Sequence, residues 1–242
     1  MELDILAFGA HPDDIELSCA GTLLTEINSG KTVGIIDLTQ GEMGTRGSAA
    51  IRHTEAQNAS KVMGVTIREN LAMEDGFFEN NKANQLKIIA IIRKYKPAII
   101  LCNAPEDRHP DHGKGANLVA DACFLSGLRK IETWENNTLQ EAWRPKQVLH
   151  YVQDRYLTPN IVVDISAVHD QKIEAIKCYT TQFHNPNLDE PETYISTPNF
   201  LDGVVYRSKM YGKMIGVAYA EGFISKKMIG VSSLFNLINK DT

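Results

Sequence analysis

Short apolar runs alternate with helix-periodic stretches through the first 130 or so residues of this 242-residue chain, and that rhythm leaves few ways to fold. Residues 5–9, Ile-Leu-Ala-Phe-Gly, are apolar up to the closing glycine and read as a buried strand. Residues 15–29 carry Ile15, Leu17, Cys19, Leu23, Leu24 and Ile27 at helical spacing, with Gly30 as the stop. A second strand is predicted at 33–38, a glycine-rich loop at 41–48, a helix over 50–63 closed by Gly64, and a third strand at 65–72. Residues 84–95 read as a helix stopped by Pro97, residues 98–102 as a fourth strand, and 112–128 as a helix. Strand–helix alternation of this kind makes parallel βαβ units with right-handed connections. The predicted fold is therefore α/β, a Rossmann-like doubly wound, mostly parallel sheet. Strands at 147–152 and 161–165 and helices at 167–183 and 198–220 are added C-terminally. Residues 134–145 read as a polar surface excursion, and residues 1–242 as one domain.

Composition removes several classes. A formal net charge of -5 supplies no basic surplus to neutralise phosphates, so no nucleic-acid partner is expected. No apolar run is long enough for a membrane span, so no membrane partner is expected either. The start Met1-Glu2-Leu3-Asp4 is acidic and does not read as a signal peptide. Cys19, Cys102, Cys123 and Cys178 form no CxxC pair and read as reduced thiols, three of them in apolar or periodic segments, which points to the cytoplasm.

The turn after the first strand is the first chemical signal. A dinucleotide-binding domain carries GxGxxG there, so that pyrophosphate can approach the helix N-terminus. This chain has Gly9-Ala10-His11-Pro12-Asp13-Asp14, whose two carboxylates would repel a pyrophosphate. Imidazole and carboxylate are ordinary zinc ligands, and His11 and Asp14 can converge across the turn. The structural alternative is an Asp N-cap beside an incidental histidine. A second turn of the same kind, Asp107-Arg108-His109-Pro110-Asp111-His112, follows the fourth strand. In a strand order of 3-2-1-4-5 the first and fourth strands are neighbours at the switch point, so the two turns would face each other. His11, Asp14 and one of His109 or His112 then make three ligands with an open fourth position, the pattern of a catalytic metal site.

With Ala10 to Asp14 (AHPDD) and His109 to His112 (HPDH), the chain resembles the PIG-L/LmbE-like family of zinc-dependent N-acetylglucosamine deacetylases. The likeness extends to residues 37–47, to Arg52-His53-Thr54-Glu55-Ala56 and to Ala220-Glu221-Gly222-Phe223. Those stretches are similar to the branch that deacetylates N-acetylglucosaminyl-L-malate in bacillithiol biosynthesis. The resemblance implies one Zn2+ per chain, with Fe2+ as the alternative ion, held by His11, Asp14 and His112. It implies Asp13 as the general base, His109 as a cation opposing the oxyanion, and Asp111 as the group that orients or charges a neighbouring histidine. Arg52 would lie in the substrate pocket. In some relatives a mobile tyrosine covers the site; Tyr194 or another C-terminal aromatic residue would take that place here. The substrate would be a small N-acetyl amino-sugar conjugate, and the assembly a homo-oligomer, a hexamer or trimer.

The remaining signals are weaker. Arg46 and Arg52 are the basic residues best placed for an anionic substrate group, since a guanidinium grips a carboxylate with two bonds. A neutral aglycone would give a desolvated arginine nothing to bind. Glu16 reads as a first-turn acid favoured by the helix dipole. His53, His150, His169 and His184 read as surface or structural, and Lys226-Lys227 as solvated surface. Phe200, Tyr206, Met210, Tyr211, Met214 and Tyr219 mark either an oligomer face or a face packed on the chain's own sheet. Two other readings are a nucleotide-binding module, opposed by the missing GxGxxG, and a sugar-binding protein without turnover, opposed by Asp13, which ligation does not need.

Overall fold

The computed structural model describes residues 1–238. A seven-stranded sheet of order β3-β2-β1-β4-β7-β9-β8 forms its centre. Its first five positions are parallel: β3 (Ile67–Met73), β2 (Val33–Thr39), β1 (Ile5–Gly9), β4 (Ile99–Cys102) and β7 (Gln147–Tyr151). Strand β9 (Ala220–Ser225) runs antiparallel to both β7 and β8 (Ile161–Asp164). The expected order 3-2-1-4-5 holds, and β1 and β4 are neighbours, with Ile5 opposite Ile99. A small hairpin of β5 (Trp134–Glu135) and β6 (Thr138–Leu139) occupies the polar excursion, turned by Asn136 and Asn137 at positive φ.

Every residue of β1 and β2 is buried, because helices cover both faces. Successive side chains alternate between two cores. Leu6 and Phe8 meet Ile88, Ile92 and Leu118 from α4 (Lys82–Tyr95) and α5 (Pro110–Leu125). Ile5 and Ala7 meet Leu23, Leu24 and Ala175 from α2 (Ala20–Asn28) and α6 (His169–Lys177). The helix α3 (Ala49–Met63) begins at Ser48, whose hydroxyl accepts from Ile51 N, and ends at Gly64 with φ 73°.

Three expectations needed correction. The helix expected over 15–29 is two, α1 (Asp14–Ser18) and α2, broken at Cys19. The break is made from far away: the Glu221 carboxylate accepts from Gly21 N (3.0 Å), Thr22 N (2.7 Å) and Thr22 Oγ1 (2.7 Å), and so caps α2. Lys172 Nζ, 2.6 Å away, balances that buried charge. The helix expected over 198–220 is α7 (Phe200–Ile215), ended by Gly216; Ala220 opens β9, a strand the apolar pattern did not reveal. The helix expected over 167–183 is α6 alone, followed by turns that bury Tyr179 and Phe183. Tyr211 is buried against the chain itself, whereas Tyr206 and Met214 are exposed, so the aromatic residues of α7 do not form one face.

Glu16 stands in the first turn of α1 as expected, and it also has a structural role. It is fully buried, 2.6 Å from Arg68 Nη1, and accepts from Tyr179 Oη at 3.0 Å. Arg68 also binds Asp37 with two bonds of 2.8 Å, joining β3, β2 and α1 behind the first turn. Removing one partner of a buried pair leaves the others uncompensated. Arg68→Met should therefore lower the unfolding free energy by ~3–5 kcal/mol in urea denaturation. A loss under ~1 kcal/mol, the level of surface pairs, would contradict this role.

Candidate active site

The C-terminal ends of the five parallel strands open into one cavity of about 340 Å³. The turn after β1 contributes His11, Asp13 and Asp14; the loop after β2 contributes residues 43–46; the loop after β3 contributes Asp75 and Gly76. The segment after β4 adds Asp107, Arg108, His109 and His112, and the segment after β7 adds Gln153 and Asp154. Gln182, Tyr194 and one face of α7 form the remaining wall. The two HPD turns do meet: the ring centroids of His11 and His109 are 4.6 Å apart, and those of His109 and His112 5.3 Å.

The adjacent carboxylates of the first turn sit in different surroundings. Asp14 is saturated. Its Oδ2 accepts from His11 N (3.0 Å) and Asn103 Nδ2 (2.9 Å), and its Oδ1 accepts from Gln153 Nε2 (3.1 Å) and lies 3.1 Å from His112 Nε2. Burial works to raise its pKa, but His112 and His11 outweigh it and hold the group well below the usual carboxylate range. Asp13 is also buried, yet its carboxyl makes no hydrogen bond among the described residues and lines the cavity. Burial pushes its pKa up to about 7, against the Arg52 charge and with help from Asp14. Its backbone has φ 117°, a conformation that costs of order 1–3 kcal/mol for a residue with a side chain.

Each histidine of the cluster is held through one ring nitrogen. His11 Nε2 lies 2.9 Å from Asp75 Oδ1 and 3.5 Å from Asp111 Oδ2, which leaves Nδ1 beside Asp14 at 3.8 Å. His112 Nδ1 is held by Asp107, which leaves Nε2 toward Asp14. Carboxylates behind imidazoles are the usual support of metal-ligating histidines, since they set tautomer and ring orientation. Burial disfavours charge on both rings, but the carboxylates prevail and raise His11 to about 10 and His112 to about 9. His109 differs. It is the N-cap of α5, and its Nδ1 accepts from Asp111 N at 3.3 Å. That bond leaves a neutral ring its proton on Nε2. Burial and the His11 and His112 charges push its pKa down.

These residues fit a divalent ion. The carboxylates of Asp13, Asp14, Asp75, Asp107 and Asp111 surround the histidines, and a buried site this acidic stabilises positive charge. Metal–ligand bonds of ~2.0–2.1 Å at tetrahedral angles put two donors ~3.3 Å apart. The Asp14 oxygens meet His112 Nε2 at 3.1 Å and His11 Nδ1 at 3.8 Å, on either side of that spacing. Ligand atoms of His11, His109 and His112 also lie within 4.8 Å of one another, as do those of His11, Asp75 and Asp111.

Around this centre the arginines have distinct settings. Arg52 is buried, and its guanidinium donates to Gln182 Oε1. Gly41, at φ 65°, makes room for it: a Cβ there would collide with Arg52 Nη1. Arg46 Nε lies 3.4 Å from Glu190, so its charge is partly met within the protein. Tyr194 is at the rim, donates to Asp154 Oδ1 at 3.2 Å and carries the Arg108 guanidinium over its ring at 4.3 Å. Asp111 accepts from Gly76 N (2.7 Å) and Lys114 Nζ (3.1 Å); the histidine it faces with its carboxylate is His11. Sequence reasoning missed Asp75, Gln153 and Arg207. For Asp75 and Gln153 a signal existed in their positions just after parallel strands, where such folds build their sites. Arg207 lies mid-helix and carried none.

A family model described as PIG-L, GlcNAc-PI de-N-acetylase, matches residues 6–123. The chain is 28% identical over 228 residues to a diacetylchitobiose deacetylase of Thermococcus kodakarensis, covering 90% of this chain and 81% of that protein. It is 24% identical over 200 residues to a probable N-acetyl-alpha-D-glucosaminyl L-malate deacetylase 2 of Bacillus anthracis, covering 75% and 82%. Among solved structures, the conserved protein TT1542 of Thermus thermophilus superposes with a TM-score of 0.84 at 32% identity, over 95% of this chain and 98% of that one. With the paired HPD turns at adjacent strand ends and a relative at this identity over nearly its whole length, the chain belongs to the PIG-L family, a family of hydrolytic deacetylases.

Proposed function

We propose that this protein hydrolyses the N-acetyl group of an N-acetyl amino-sugar conjugate, releasing acetate and a free amine. The observation that carries the reading is the contrast in the first turn. Asp14 is engaged by donors on both oxygens, whereas the Asp13 carboxyl is buried, open to the cavity and without a hydrogen bond among the described residues. A saturated carboxylate suits ligation, and a free one with a raised pKa suits proton transfer. His11, Asp14 and His112 would hold the metal, Zn2+ or Fe2+. When bound, such an ion supplies a positive charge that polarises a carbonyl and acidifies water.

The chain's own residues then have these tasks. Asp13 takes a proton on its carboxylate from the attacking water and returns it to the leaving nitrogen. His109 donates from Nε2–H to the carbonyl oxygen as negative charge develops there. Asp75 and Asp111 hold the His11 ring, and Asp107 holds the His112 ring. Arg52 opposes protonation of Asp13 and lines the cavity, so its charge serves the base as well as the substrate. Tyr194 closes the rim over bound sugar.

The aglycone we propose is L-malate, in bacillithiol biosynthesis, supported by the Bacillus anthracis relative and by Arg46 and Arg52 in the cavity wall. The Thermococcus relative makes diacetylchitobiose the comparison substrate. Acetate release from N-acetylglucosaminyl-L-malate, diacetylchitobiose and free N-acetylglucosamine tests the reading, with the malate conjugate expected to have the highest kcat/KM. No release from any of them by metal-loaded protein would refute the deacetylase assignment. Exposed Tyr206 and Met214 on α7 support a homo-oligomer, which light scattering showing a monomer would reject. The free cysteines support a cytoplasmic setting, and no helix among the described residues is long and apolar enough to cross a membrane.

A further inference from the structure

Four arginines line the cavity, and two of them lie against carboxylates: Arg46 against Glu190, and Arg108 with its Nε 3.0 Å from Asp154 Oδ2. Arg52 donates to the neutral Gln182 amide and acts on the buried Asp13 carboxyl. Arg207 has neither a carboxylate partner nor a side-chain partner among the described residues. It is partly buried, and among the described residues no carboxylate lies within 4.0 Å of its guanidinium. Its one hydrogen bond is from Nη1 to the backbone carbonyl of Gln153. The carboxylates whose fields reach it are already committed. Asp154 holds Arg108 and Tyr194, Asp107 holds His112 and Arg155 N, and Glu221 holds Lys172 and the start of α2. Burial lowers its pKa, as expected for a cation without a counter-ion.

Its placement relates this charge to the reaction. Phe200, Val204 and Arg207 recur at helical spacing on α7, and all three line the cavity. Gln153, whose carbonyl anchors Arg207, donates through its side chain to Asp14 at 3.1 Å. The guanidinium is therefore fixed one residue away from the centre that acts on the acetamide, with donors left over for a ligand. A planar fork with spare N–H groups in a partly desolvated wall matches a carboxylate.

We propose that Arg207 forms a carboxylate subsite that selects N-acetyl amino sugars bearing an acidic aglycone, with Phe200 and Val204 as the apolar floor beside it. This rests on the deacetylase reading and adds a specificity determinant on α7 to it.

Initial rates of acetate release by the metal-loaded protein test it, with N-acetylglucosaminyl-L-malate against the methyl glycoside of N-acetylglucosamine. The wild type should show a KM for the acidic glycoside at least ~10-fold lower, an advantage that shrinks at 0.5 M salt because charge pairing is screened. Arg207→Gln should raise KM for the acidic glycoside ~10–100-fold, the range of a lost charged hydrogen bond, with a rise for the neutral glycoside at least tenfold smaller. Arg207→Lys keeps the charge but not the fork, so it should retain a weakened preference, which also covers the case in which the glutamine variant does not fold.

Equal KM values for the two glycosides in the wild type would overturn the subsite while leaving the deacetylase reading intact. So would an acidic preference that survives Arg207→Gln, or equal losses on both glycosides in that variant. Release from neither glycoside would instead remove the reading on which the subsite rests.

Discussion

Replacing Asp13 by asparagine should lower kcat ~10²–10⁴-fold, the contribution of a positioned general base, while the protein keeps its metal and its fold. The two carboxylates of the turn are adjacent in sequence but only Asp14 is tied down, by donors from His11, Asn103, Gln153 and His112. Asp13 makes no such bond among the described residues, so an amide in its place breaks no contact. Asparagine also tolerates positive φ better than most residues, so the 117° backbone is retained. What is lost is the ability to accept a proton. Metal content by atomic emission and kcat by acetate release separate the roles. Retained metal with a collapsed kcat is the expected pair of results; loss of metal would show that Asp13 and Asp14 are assigned the wrong way round.

His112→Ala should take the metal content from about one ion per chain, the expectation for a three-ligand site, to a small fraction of that. The variant removes a ring whose Nε2 lies 3.1 Å from Asp14 and whose Nδ1 is held by Asp107. It leaves both carboxylates without the cation or ligand between them, in a cavity that already holds Asp13, Asp75 and Asp111. Wild-type protein should also lose thermal stability on chelation, because an ion bound only by the native state stabilises it by mass action. The Tm of His112→Ala should respond little to chelator. Full metal retention in this variant would remove His112 from the ligand set, and His109, whose ring lies 4.6 Å from that of His11, would be the residue to change next.

The Rossmann-like half of the molecule was open to reading because its signals are local. Residues 5–9 and 33–38 are apolar at nearly every position, as strands covered on both faces must be. Gly30 and Gly64 stand where the helices before them stop, both with positive φ. The C-terminal part was less legible. Strand β9 contains Glu221 and Gly222, which interrupt any apolar run, and Glu221 is buried only because α2 and Lys172 supply it with donors. The break at Cys19 has the same origin, 200 residues away in sequence.

The active centre divides along the same line. Two HPD turns after predicted strands, and the rule that ligands collect at the carboxyl ends of parallel strands, were enough to bring His11, Asp14, His109 and His112 together from the sequence. Those residues lie within a few positions of strand ends, so backbone topology alone places them. Side-chain environment does not follow from topology. That Asp14 is saturated depends on Asn103 and Gln153, brought in by the segments after β4 and β7. That His109 Nδ1 is occupied depends on its bond from Asp111 N at the start of α5. The charge of Arg46 is partly met by Glu190, and that of Arg207 by no carboxylate among the described residues, because of where residues 184–215 lie across the cavity. Proton affinities and free donors are sums over neighbours distant in sequence, and only the packed tertiary structure decides which neighbours those are.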